Sequence, residues 1–203
     1  MIIGLAHITV ATDNLNDLSE YLENGYNIIA EEKNLKNDVQ KKKFLSKDLA
    51  THDLYILDKE GEPRVELIQY SETKNTSYIK QQQKALTLQS RNQKKDLALL
   101  EKLISSSAEG NTLQVNSPIA SLRASITLEA MQNSDSNEHY LNSKGGVCIA
   151  LIVRNLAALC EQRVAKDIDK TEIFATEINQ KKVNVVLLKT YGGFFIELYE
   201  FAK

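Results

Sequence analysis

Apolar and polar positions along the chain alternate in two distinct rhythms, and the same succession of rhythms occurs twice. Residues 3–12 are apolar or β-branched and predict a strand. Asp13 stands ready to cap a helix, and Leu15, Leu18, Tyr21 and Leu22 then fall at helical spacing, with Gly25 suited to the helix end. Strands are expected near 27–33, 42–47, 52–58 and 64–70, with Glu60-Gly61-Glu62 as a turn before the last. Towards the other end the pattern returns: a strand near 147–153, a helix near 155–165, and strands near 171–178, 182–189 and 193–201, with Gly192-Gly193 marking the last hairpin.

A repeat of this kind changes how single residues are read. The stretch from Leu5 to Leu15 aligns with that from Gly146 to Leu156, both ending in Asn-Leu, and sets His7 against Cys148. Residues 52–68 align with 183–199, so that Gly61, Glu66 and Leu67 meet Gly192, Glu197 and Leu198. The domain reading is a first module at 1–72, an insert at 73–142 and a second module at 143–203. The insert is rich in Gln, Lys, Ser and Asn. Its Leu97, Leu100, Leu103 and Ile104 stripe predicts a helix over about 94–106, expected to cover part of the sheet or the mouth of a site. Residues 119–131 suit helix or strand equally, and 132–144 read as a polar loop.

Composition narrows the function classes. The chain has 203 residues, 42% hydrophobic and 26% charged, with a formal net charge of −2. That is the profile of an ordinary globular protein and lacks the basic surface that nucleic-acid binding needs. No apolar run nears the roughly 20 residues of a membrane span, and Met1-Ile2-Ile3-Gly4 lacks the basic start of a signal peptide. Cys148 and Cys160 give no disulfide framework, so a reducing cytoplasm is the expected location. No nucleic-acid or membrane partner is expected, and the chain reads as a monomer or homodimer that takes a small molecule.

Alternation places the candidate chemistry. His7, Thr9 and Ala11 share one strand face. Phe195, Glu197 and Tyr199 share another, where a carboxylate between two aromatic rings must find a metal, a cation, hydrogen bonds or a proton. Arg64 lies two residues from Glu66 on one face and could pair with it. His52 and His139 read as surface or loop residues, and Lys41-Lys42-Lys43 as the solvated start of an edge strand.

A βαβββ unit occurring twice, with His7 on a first strand and Glu66 and Glu197 on last strands, resembles the vicinal oxygen chelate superfamily, which includes glyoxalase I, bleomycin-binding proteins and extradiol dioxygenases. The resemblance covers about 1–72 and 143–203 and leaves the insert unexplained. It implies an α+β fold: two modules forming a cup-shaped, mostly antiparallel sheet, with a helical insert between them. It also implies a divalent metal (zinc, nickel, manganese or iron) held by His7, Glu66 and Glu197, with Cys148 as a departure from the family's His or Gln and a possible fourth ligand. Glu197 would be the general base, and Phe195, Tyr199 and Thr9 would line a substrate pocket. The implied activity is metal-assisted isomerase, lyase or epimerase chemistry on a small oxygenated substrate. Dioxygenase chemistry fits less well, because a second His ligand is missing. The alternative is a metal-free module of the same fold that binds a drug or metabolite.

Overall fold

A computed structural model describes the chain apart from residues 15, 74–78, 83, 132–138, 179–180 and 203. The first module runs β1 (Ile2–Thr12), α1 (Asn16–Glu23), β2 (Asn27–Lys36), α2 (Val39–Lys42), β3 (Thr51–Asp58) and β4 (Arg64–Gln69). The segment between the modules holds β5 (Ile79–Gln82), β6 (Ala85–Ser90), α3 (Gln93–Ile104), β7 (Thr112–Ser117) and β8 (Leu122–Ala130). The second module runs β9 (Gly145–Val153), α4 (Leu156–Arg163), β10 (Asp169–Lys170), β11 (Phe174–Ile178), β12 (Lys181–Lys189) and β13 (Phe195–Phe201).

The described strands join one sheet, in the order β2-β3-β4-β1-β9-β5-β6-β8-β7, with β13 also beside β9 and β12 beyond it. Only β1–β4, β9–β13 and β6–β8 pair in parallel, so the sheet is mostly antiparallel. The two modules meet where β1 runs antiparallel to β9. Register makes them equivalent. Thr9 pairs with Glu66 as Ala150 pairs with Glu197, so His7 and Cys148, two residues along, hold matching places.

Three differences from the sequence reading have physical causes. The strand expected at 42–47 is instead the short helix α2 and an irregular descent, because Asp38 caps Gln40 N–H and the chain then turns in to bury Phe44 and Leu45. Asp13 is not the cap of α1: Asn14 Oδ1 accepts from Asn16 N–H at 3.0 Å, while Asp13 faces Thr73 and Lys144. Leu15 of the predicted stripe lies outside the described residues, as does most of the expected polar loop. The third is the insert, which adds four strands beside its helix. In β8 the alternation of buried Ala124, Ile126 and Leu128 prevails over helical spacing.

Helix α3 forms where the leucine stripe predicts it, with Leu99, Leu100 and Leu103 buried against β1, β6 and β8. A fully buried leucine such as Leu100 stabilises the chain by about 1.5–3 kcal/mol. This large core includes Leu5, Ile8, Ile149, Leu151, Ile196 and Leu198, which alternate with the site residues. Helices α3 and α4 therefore back the sheet and leave its other face for chemistry. On that other face Phe44, Leu45, Leu49 and Leu141 pack over Cys148, Phe195 and Tyr70.

Candidate functional site

Strand register assembles the site in two rows. Glu66, Thr9, Cys148 and Phe195 are successive neighbours across β4, β1, β9 and β13, and Arg64, His7, Ala150 and Glu197 form the adjoining row. Paired residues point to one side of a sheet, as do residues two apart along a strand, so all eight side chains share a face.

At its centre His7 Nε2 lies 3.5 Å from Glu66 Oε2, both side chains being nearly shielded from water. The Thr9 hydroxyl donates to that same Oε2 at 2.9 Å. Among the described residues His7 Nε2 meets no hydrogen-bond geometry, so the pair is held by charge. Burial works against the charge on Glu66, yet His7, Lys41 and the Thr9 hydroxyl hold its carboxyl down at about 2. Burial also opposes charge on His7, but Glu66 beside it and Glu197 beyond outweigh that and raise its pKa above the ordinary 6.5. Tyr199 stacks on the imidazole, with ring centroids 6.1 Å apart and planes 23° apart.

Glu197 differs. It is 5% exposed, and among the described residues no donor bonds its carboxylate. Burial pushes its pKa up, Lys41 pulls it down, and Glu66 pushes it up again. Cys148 is 1% exposed beneath the Phe44 cluster, and burial raises its thiol pKa well above the usual value, which disfavours the thiolate that metal binding needs.

A cavity of about 160 Å³ opens over this face, lined by His7, Glu66, Arg64 and Tyr199, with apolar walls from Ile29, Ile56, Ile119, Val183 and Phe201. Thus the structure brings His7, Glu66 and Tyr199 together at one opening. Thr9 sits just behind, bonded to Glu66, whereas Glu197, Cys148 and Phe195 are not in the cavity wall. For Cys148 and Phe195 the reason is the plug: the Phe44 ring lies 5.3 Å from that of Phe195, and the segment bearing it is tied down by Asn142 to Ser46 and by Lys43 to Asp169. Half of the cup is filled, and the half over His7 and Arg64 stays open.

Arg64 does not pair with Glu66; its Nε donates to Asp58 Oδ1 at 2.9 Å. Neither expected surface histidine is exposed. His52 is 7% exposed on an inward position of β3, its ring 5.7 Å from that of Tyr70. His139 is 2% exposed against Gly193, where a Cβ would come within 2.4 Å of its ring. The sequence reading also missed Lys41, whose charge acts on His7, Glu66, Glu197 and His52; nothing in a run of three lysines singles it out. Lys181, at the cavity wall, carried no signal either.

A three-ligand metal centre does not fit this arrangement. His7 and Glu66 approach one another, with the Thr9 hydroxyl on the facing carboxylate oxygen, but Glu197 stands outside the wall of their cavity. Among the described residues no group of three or more His, Cys, Asp or Glu side chains is placed to hold an ion. Nor, among those residues, is any helix long and apolar enough to cross a membrane.

No protein-family model matches the chain, and no curated protein sequence does. Solved structures do overlap with it. Methylmalonyl-CoA epimerase from Mycobacterium tuberculosis is 17% identical, with 100% of this chain and 91% of that one covered at a TM-score of 0.48. Glyoxalase I from Zea mays is 12% identical, with 98% and 68% covered at a TM-score of 0.32. At such identities and scores the overlaps say nothing about activity. Two βαβββ modules joined through β1 and β9, in a register that sets Glu66 and Glu197 in matching places, give this chain the mostly antiparallel α+β fold that the sequence resemblance implies.

Proposed function

We propose that the chain is a glyoxalase-like isomerase, lyase or epimerase that moves a proton on a small oxygenated molecule bound over His7. One observation carries this reading: a shielded imidazole whose pKa lies above 6.5, held beside a carboxylate that Thr9 fixes, at the floor of a small cavity. An acid–base group works best with a pKa near the working pH, and its partner must hold it in place. His7 is the proton carrier. Glu66 keeps it charged and oriented, and Thr9 keeps Glu66 in place. Glu197, outside the cavity wall, adds negative potential that favours the imidazolium. A charged imidazole at this spot also stabilises negative charge growing on a substrate oxygen, as an enolate requires.

The test is exchange of a carbon-bound proton adjacent to a carbonyl, followed by NMR in heavy water across a panel of hydroxyketones, 2-oxo acids, hemithioacetals and branched acyl thioesters. Wild type is expected to accelerate exchange on at least one class, and Glu66→Gln to lose about 100-fold or more of that rate. Exchange that survives His7→Ala would overturn the reading. A wild type that binds members of the panel without exchanging any is the binding module of the alternative reading, which the filled half-cup favours.

A further inference from the structure

Taking this cavity as the substrate site, as above, we infer that its ligand is a small, mainly apolar carboxylate, whose anionic end is gripped by Arg64 and Lys181.

A closed space of about 150 Å³ takes one benzene ring. The 160 Å³ here is of that size and opens to the surface, so it suits one ring or a short branched chain whose polar end faces the opening. The walls are of matching chemistry, since Ile29, Ile56, Ile119, Val183 and Phe201 offer no hydrogen bonds. A ligand that fits must be largely apolar along its body.

Charge then selects its polar end. Arg64 stands directly beside His7 in the register and lines the cavity. Its Nε is committed to Asp58, which fixes the plane of the guanidinium; among the described residues its two terminal nitrogens make no hydrogen bond. A guanidinium fixed in this way presents two parallel N–H groups to a carboxylate. Lys181, exposed at the start of β12, also lines the cavity, and among the described residues it has no ion pair. The acids at the cavity are already matched, Glu66 with His7, Asp58 with Arg64, and Glu31 with Lys33, while Glu197 lies outside the cavity wall and is acted on by Lys41. The opening therefore carries one positive charge in excess, beside an apolar pocket. In neutral form such a ligand would leave Lys181 without an anion and the terminal nitrogens of Arg64 without a charged acceptor.

The probe is benzoate, with benzamide as its neutral counterpart of equal shape, titrated into the full chain and followed by amide chemical shifts. Benzoate is expected to bind about tenfold more tightly than benzamide, with shifts around His7, Ile56 and Tyr199. Arg64→Gln and Lys181→Gln should each remove most of that preference, because an anion loses a charged donor worth about a factor of ten. Lys181 is a surface residue, so its variant does not depend on Arg64→Gln folding well. Equal binding of the two probes, no binding of benzoate at tens of millimolar, or a preference that survives both substitutions overturns the proposal. The outcomes are separable from those for proton transfer. Anion preference without exchange leaves this inference standing and removes the enzyme, and exchange without anion preference does the reverse.

Discussion

His7 Nε2 and Glu66 Oε2 face each other at 3.5 Å from adjacent strands, and each favours the charged form of the other. Glu66→Gln should therefore lower the titration midpoint of His7, because the burial that opposes the imidazolium is no longer offset by its nearest carboxylate. The His7 ring protons, followed by NMR from pH 5 to 9, should move at a midpoint above 6.5 in wild type and at a clearly lower one in the variant. An unchanged midpoint would mean that the pair is not coupled.

The two other histidines give the opposite pH signature. Burial pushes His52 down to about 4, aided by Lys41, and burial pushes His139 to about 4 as well. In the unfolded chain both titrate near 6.5. Between about pH 6.5 and pH 4 the unfolded state takes up protons that the folded state refuses, so their contribution to stability is present above 6.5 and falls with pH across that window. His7, with its raised pKa, contributes most below 6.5 and loses its contribution as pH rises through its folded value. The wild-type slope mixes these effects, and the variant isolates one. Urea unfolding of His52→Gln should show a weaker loss of stability on acidification than wild type; parallel slopes would remove His52 from the account.

Legibility in the sequence followed periodicity. The repeat, the βαβββ order and helix α3 were all visible as spacing, because a buried face imposes a period on the chain. Residues placed by the plug were not. Phe44 and Leu45 read as part of a strand, and nothing local says that the chain dives inward after α2 to fill the Cys148 side of the cup. The donor types His7, Glu66 and Glu197 were found from the repeat, but whether they meet depends on what fills the space between them. Arg64 was seen as a possible partner for Glu66, whereas Asp58, from the neighbouring strand, takes it.

The plug itself is open to test. Phe44→Ala should cost about 3–5 kcal/mol, the range for emptying a buried aromatic site, measured by denaturant unfolding. It should also make Cys148 reactive towards iodoacetamide in the folded protein, where the wild-type thiol, 1% exposed, resists. A variant that loses little stability and keeps Cys148 protected would show that the segment at 43–49 does not seal that half of the cup.

A second tight contact lies on the far side of the sheet. Asp96, fully buried in α3, accepts from Ser90 Oγ at 2.7 Å and from Gly192 N–H at 2.9 Å, riveting the insert to the last hairpin of the second module. A Cβ on Gly192 would fall 2.1 Å from Ser90 Oγ and 2.3 Å from Asp96 Oδ2. Gly192→Ala is therefore expected to destabilise the chain by about 1–3 kcal/mol. Thermal melts of this variant and of Gly61→Ala, at the matching turn where a Cβ meets nothing within 4 Å, give the comparison. The Gly61 position has a positive φ, so its variant carries backbone strain alone.

The equivalence of His7 with Cys148, and of Arg64 with Phe195, has a consequence for how the chain tolerates change. Two copies of one architectural unit now answer to different demands. Under the proton-transfer reading, the first copy's positions require particular atoms, so that even a same-sized substitute such as His7→Gln is expected to forfeit the role. At the second copy's positions the requirement is for volume, and any apolar residue of similar bulk serves. Variation among descendants of this chain should therefore be lopsided, with residue identity guarded in one half of the duplication and only size guarded in the other.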